Sequence, residues 1–137
     1  MMLPKKTAHR KVRIGKNDGV ATRCNYVAFG DWGLMSLDNE RITSRQIEAA
    51  RQAITRYIKR GGKIWIRIFP HTPVTKKPLD VKMGGGKGEP QFFVAKVKAG
   101  TVMFELADVT EEQAKEALRL ASHKLPVRCK IIKKEEF

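Results

Sequence analysis

Two stretches of this chain open with the same signature, and together they constrain what the rest can become. Thr43-Ser44-Arg45-Gln46 and Thr110-Glu111-Glu112-Gln113 each set a threonine three residues ahead of a glutamine. In such a capping box the hydroxyl accepts from the glutamine N–H, and the glutamine side chain accepts from the threonine N–H. Two donors that a helix start leaves orphaned are thereby satisfied. After the first box, Ile47, Ala50, Ile54, Tyr57 and Ile58 recur at three- and four-residue steps, and Gly61-Gly62 ends the pattern. After the second, Ala114, Ala117, Leu118 and Ala121 form an inward stripe. Glu111 and Glu112 lie where the helix dipole favours anions, His123 and Lys124 close the last turn, and Pro126 forbids continuation. Two helices, each apolar along one stripe, need a further layer to bury those stripes against.

The remaining pattern supplies that layer. Residues 24–30 are aromatic and β-branched, and 32–37 follow after a Gly30-Asp31 break, so this region reads as two strands, or as one strand bulged at Gly30. Asp38-Asn39-Glu40 is turn chemistry. Residues 63–69 form a strand with Ile64, Ile66 and Ile68 on one face and Trp65, Arg67 and Phe69 on the other. Pro70, Pro73 and Pro78 then impose an extended, irregular path. Residues 91–98 and 101–106, separated by Ala99-Gly100, have the spacing of a hairpin. Val127, Cys129 and Ile131 alternate with Arg128 and Lys130, which predicts a last strand with one cationic face. The expected fold is α+β: a mostly antiparallel sheet with two helices packed on it. At 137 residues it suits a single domain over 25–137, preceded by a basic arm over 1–24 and carrying a protruding loop over 76–90. No internal repeat is visible.

Charge narrows the partners. Lys and Arg number 28 against 14 Asp and Glu, a formal net charge of +14 with pI near 10.1. A small domain so far from neutrality repels itself and gains most from a polyanion, with nucleic acid the default. The arm carries Lys5, Lys6, Arg10, Lys11, Arg13, Lys16 and Arg23 against Asp18 alone, with too few apolar residues to order by itself. It reads either as a solubilising tail or as an arm that orders on RNA or DNA, and the lack of counter-charges favours the arm. Arg45, Arg51, Arg56, Lys59 and Arg60 surround the first helix, answered by Glu48 alone. An ordinary solvated helix alternates in sign, so this outer face is expected to meet phosphate. No segment approaches the roughly 18 apolar residues of a spanning helix, and Met1-Met2-Leu3-Pro4 runs directly into lysines without a signal-peptide core, so a soluble intracellular chain is expected.

Between the two halves lies Val81-Lys82-Met83-Gly84-Gly85-Gly86-Lys87-Gly88-Glu89-Pro90, with four of the eleven glycines in five positions. It lacks the hydroxyl that follows Gly-Lys in a phosphate-binding P-loop, and the run after it reads as a strand rather than the helix a dinucleotide motif requires. A flexible tip with solvated lysines and a finger that touches polyanionic backbone both remain, and the charge of the whole chain favours the finger. Trp65 beside Arg67 is open in the same way, between contact with nucleic acid and a packed face with a snorkelling arginine. Cys24 and Cys129 stand far apart, without the spacing of a zinc site, and are expected to be buried or half-buried free thiols. No acid pair, nucleophile elbow or metal-ligand cluster suggests an enzyme, and no cofactor is expected.

Several runs have a family likeness. Pro4-Lys5-Lys6-Thr7, Gln46-Ile47-Glu48-Ala49-Ala50-Arg51, the stretch from Gly62 to Pro70, Thr75-Lys76-Lys77-Pro78, Met83-Gly84 with Gly86-Lys87-Gly88, and His123-Lys124-Leu125-Pro126 resemble the bacterial-type large-subunit ribosomal protein family known as L-sixteen. The likeness runs in order along essentially the whole chain. It implies a structural constituent of the large ribosomal subunit with no catalysis of its own. Such a protein binds large-subunit rRNA, helps to shape the aminoacyl-tRNA site beside the peptidyl-transferase centre, and contacts tRNA there and at the peptidyl site. The implied setting is the ribosome of the cytoplasm or an organelle, among neighbouring large-subunit proteins, with no membrane and no homo-oligomer. The contact residues expected on this basis are the arm cations from Lys5 to Lys16 and the five named around the first helix. Lys63, Arg67, Lys76, Lys77, Lys82, Met83, Gly84, Gly85, Gly86, Lys87, Gly88, Arg128 and Lys130 complete them. The chain departs from the usual loop at Lys82, where an arginine is usual, and at Gly85, where a lysine is usual, which removes one cation and one bidentate fork. Ala8 and Asp18 in the arm, and Gln91-Phe92-Phe93 after the loop, depart as well.

Overall fold

The computed structural model describes residues 19–59, 61–75 and 90–135. In chain order these form β1 (Trp32–Ser36), β2 (Glu40–Thr43), α1 (Ser44–Ile58), β3 (Lys63–Ile66), β4 (Thr72–Thr75), β5 (Pro90–Val97), β6 (Val102–Ala107), α2 (Glu111–Ser122) and β7 (Cys129–Lys133). The class is α+β, as expected. The described strands make two antiparallel sheets rather than one: a four-stranded sheet in the order β3-β6-β1-β7 and a three-stranded sheet in the order β2-β5-β4.

Both capping boxes form. Thr43 Oγ1 accepts from Gln46 N at 3.2 Å while Gln46 Oε1 accepts from Thr43 N at 2.9 Å, and Thr110 and Gln113 repeat the exchange at 3.2 and 3.1 Å. Ile47, Ala50, Ile54 and Ile58 of α1 and Ala114, Ala117, Leu118 and Ala121 of α2 are buried. They join Leu34, Phe104, Leu106 and Ile42 in the main core, with the two helices packed against each other. Tyr57, expected in the stripe, is instead 42% exposed at its margin. The α1 terminus uses Gly62 at φ 79°, where an added Cβ would meet the Val109 side chain at 2.7 Å.

Five local expectations are corrected. Strands β5 and β6 do not pair as a hairpin: β5 takes β2 and β4, and β6 takes β1 and β3. The turn residues are those of a hairpin, and Thr101 N does donate to Lys98 O at 3.1 Å, but Gly100 N is drawn to Ser36 O at 2.7 Å. The chain thus turns a corner from one sheet into the other. Asp38-Asn39-Glu40 ends in strand β2, a polar four-residue element anchored by the fully buried Ile42. The proline-rich path contains β4, in which Pro73 is tolerated because β4 lies at a sheet edge. Residues 24–30 form no strand; the pattern of buried and exposed residues there has another cause, described next. The 63–69 strand is also shorter than expected, although Ile68 still reaches the core and Arg67 N still donates to Met103 O at 2.8 Å.

Candidate nucleic-acid interface

All six residues of β6 are buried, because helices cover one face of it and an irregular strap, residues 20–31, covers the other. The strap is sewn to the sheet by backbone bonds. Ala21 N donates to Ala99 O at 2.9 Å, Val102 N to Cys24 O at 2.8 Å, and Asp31 N to Leu106 O at 2.7 Å. Its centre is held by a carboxylate. Glu105 Oε1 accepts from the successive N–H groups of Ala28, Phe29 and Gly30 at 3.0, 2.8 and 2.8 Å, and Oε2 takes Arg67 Nη1. Successive N–H groups converging on one oxygen form an anion nest, here filled by the protein's own side chain. Burial alone would push the Glu105 pKa up. The bonds from Gly30, Arg67, Phe29 and Ala28 outweigh that and hold it below the ordinary carboxylate value. Gly30 is required by close approach, since a Cβ there would sit 2.5 Å from Leu106 O.

This clamp settles where Arg67 and Trp65 point. The Arg67 side chain is 17% exposed, ion-paired to Glu105, with its guanidinium 4.8 Å from the centroid of the Phe29 ring. Trp65 stacks on the same ring, with centroids 6.3 Å apart and planes at 22°. Of the two readings left open for this face, the structure matches packing with a snorkelling arginine. Glu105 was missed in the sequence, yet a signal was present: it is the one charged residue in the otherwise apolar run Val102-Met103-Phe104-Glu105-Leu106-Ala107. A lone acid in a central strand is expected to have a dedicated partner.

The two helices share an inner design and differ outside. On α2, Lys115 pairs with Glu111 at 2.9 Å and Arg119 with Glu116 at 2.5 Å, so its charges answer one another. On α1, Arg51 pairs with Glu48, but Arg45, Arg56 and Lys59 recur on one exposed ridge with Gln52 and have no acidic partner among the described residues. Lys63 reaches Asp108 at 3.9 Å with both side chains well exposed, too loose to neutralise it. Arg128 forks onto Asp38, donating from Nη2 to Oδ1 at 2.7 Å and from its backbone N to Oδ2 at 2.8 Å. That fork tethers the start of β7 to the turn after β1 and holds the Asp38 carboxyl below its usual range. Lys130 is exposed, and Lys133 and Lys134 extend the cationic stretch beyond it. The arm residues Lys5, Lys6, Arg10, Lys11, Arg13 and Lys16, Arg60, and the loop residues 76–88 lie outside the described residues.

Neither cysteine has the setting of a nucleophile. Both are free and half-buried, as expected. Cys24 Sγ donates to Val102 O at 3.4 Å, and burial raises its pKa; burial, with the Asp38 charge, pushes Cys129 up to about 11. A thiol that remains protonated at neutral pH is a poor nucleophile and a poor metal ligand. The described surface therefore offers fixed positive charge and exposed aromatic rings.

Residues 4–132 match the family described as ribosomal protein L16p/L10e. Over 136 residues, 99% of this chain, it is 63% identical to the large ribosomal subunit protein uL16 of Spiroplasma citri, covering 99% of that protein. It is 60% identical to the protein of the same name from Exiguobacterium sibiricum and 59% to that of Lysinibacillus sphaericus, each over 99% of this chain and 94% of the relative.

Proposed function

Because the chain belongs to the ribosomal protein L16p/L10e family, we propose that it binds large-subunit rRNA, helps to shape the aminoacyl-tRNA site beside the peptidyl-transferase centre, and contacts tRNA there. The family is a structural component of the large ribosomal subunit and not an enzyme. In this reading the protein supplies shape and countercharge while RNA supplies the chemistry. The observation that carries it is the contrast between the helices: α2 neutralises its own charges, and α1 presents Arg45, Arg56 and Lys59 on one exposed ridge without answering acids among the described residues. A folded chain with net charge +14 leaves such a ridge uncompensated only at a cost in self-repulsion, which phosphate removes. The arm and the loop 76–90 extend the same chemistry along the sequence, with Lys82 and Lys87 as the loop's cations.

Replacing Arg45 and Arg56 together by Gln should reduce the salt dependence of binding to large-subunit rRNA by about 0.7–0.9 in slope for each phosphate that is no longer neutralised. The paired change Lys115→Gln with Arg119→Gln on α2 should leave the slope as it was. Filter binding between low and moderate salt reads this directly. Equal slopes for all three proteins would remove α1 from the interface. The native protein is also expected to sediment with the large ribosomal particle and to leave it only at high salt.

A further inference from the structure

The strap and the edge strand β7 enclose a cleft of about 840 Å³ that, Lys130 apart, none of the rRNA-binding residues above belongs to. That volume lies within the range of about 300–1,000 Å³ typical of sites that hold small ligands. Its floor is apolar, formed by Val27, Met35 and Ile132. Gly33 makes the floor flat: its missing Cβ is what lets the Val27 side chain seat against the sheet, since a Cβ there would lie 2.8 Å from Val27 Cγ2. On the strap side stands Tyr26, 63% exposed although it adjoins the buried Val27. On the β7 side stand Lys130 and Lys134, against one acid, Glu135, while the Lys133 side chain turns to the other face of the sheet, its ammonium 5.6 Å from the centroid of the Trp32 ring. The Lys134 backbone N–H donates to Asp31 O at 2.8 Å, which ties this end of β7 to the strap.

We propose that this cleft receives one unpaired nucleotide of the RNA, its base stacked on Tyr26 over the apolar floor and its phosphates met by Lys130 and Lys134. The inference rests on the rRNA-binding reading and specifies which RNA feature this face selects. Base-paired RNA does not suit the cleft. An A-form helix keeps its base faces stacked inside and presents phosphates and 2′-hydroxyls, so a bare aromatic ring above an apolar floor has nothing to stack on. An unpaired base has a free face, and an aromatic platform beside a cationic rim is the usual way proteins hold one. The charge also favours this occupant over a peptide from a neighbouring protein: two lysines against one glutamate attract phosphate and gain nothing from an apolar side chain.

The test uses the full chain and two fluorescent RNA probes of equal length, a single strand carrying 2-aminopurine and a blunt duplex, at the same salt. Tyr26→Ala should weaken the single-stranded probe about tenfold, the size of one base–aromatic stack, and leave the duplex unchanged. Tyr26→Phe should match the wild type. The 2-aminopurine signal should be quenched on binding by wild type and Tyr26→Phe and not by Tyr26→Ala, a readout that the basic arm shared by all three proteins does not alter. Because the ring is exposed, all three should melt together. Undiminished quenching with Tyr26→Ala, or equal weakening of both probes, overturns the cleft as a base site while leaving rRNA binding intact. Failure of the wild type to bind either probe overturns both readings.

Discussion

Phe104 and Glu105 are neighbours in one strand, both fully buried, and they point to opposite faces of the same sheet. The face that Phe104 shares with Leu34 and Leu106 is sealed by two helices through aliphatic packing. The face that Glu105 occupies is sealed by a strap with no regular structure, held through three N–H groups and an arginine. Packing is non-directional and tolerates adjustment; hydrogen bonds to a charge fix distance and angle. The contrast amounts to a division of labour. The helical face supplies the free energy of a core, and the polar face sets where an irregular segment lies. That segment carries Tyr26 and Phe29, and it leads back in the sequence to the basic arm.

The contrast is broken most directly at its two defining residues. Phe104→Ala should lower unfolding stability by about 3–5 kcal/mol through the cavity it leaves. Glu105→Ala should cost a similar amount, about 3–5 kcal/mol, by stranding Arg67 and three N–H donors. The two separate by pH. The folded Glu105 pKa lies below its unfolded value, so its contribution is complete above the unfolded value of about 4.3 and is lost as pH falls through the folded one. In urea titrations the gap between wild type and Glu105→Ala should stay constant from about pH 7 to 5 and narrow below about 4, whereas the Phe104→Ala gap should persist. A gap that ignores pH at both sites would mean that the clamp contributes packing alone.

A smaller effect sharpens the picture on the strap side. Gly30→Ala forces a methyl against Leu106 O and should cost about 1–3 kcal/mol. Hydrogen exchange should quicken at Phe29 and Gly30 and hold steady in the helices; loss of protection in α1 or α2 would show that the two faces are not independent. The smallest effect lies on the helical side. Thr43→Ala and Thr110→Ala should each cost about 1 kcal/mol as lost caps, in thermal or chemical melts, with protection in the strap unchanged.

Much of this architecture can be read from local chemistry. Each capping box lies within four residues, each helical stripe repeats within four, and the alternation of 129–131 marks β7 without reference to anything distant. The failures occur where a partner lies far away. Ala99-Gly100 has the chemistry of a hairpin turn, but whether β5 pairs with β6 depends on which edges the other strands leave open, and all four edges of the two strands are taken by others. Residues 24–30 look like a strand because they are aromatic and β-branched, but burial falls at Val27 and Gly30, three positions apart, where the strap touches the sheet. Arg67 looks like a surface cation and is half of an internal pair.

Residue order alone thus determined two capped helices, a largely β remainder, a large cationic surplus and a likeness to one ribosomal family. Those properties arise from interactions a few residues long, or from sums over composition that do not depend on conformation. Tertiary structure alone decided the division into two sheets, the strap across the second face and the commitment of Arg67 to Glu105. The bond from Gly30 to Glu105 spans 75 positions. No local propensity encodes such a contact, because its free energy exists only once the sheet has formed and water has been excluded from around the carboxylate.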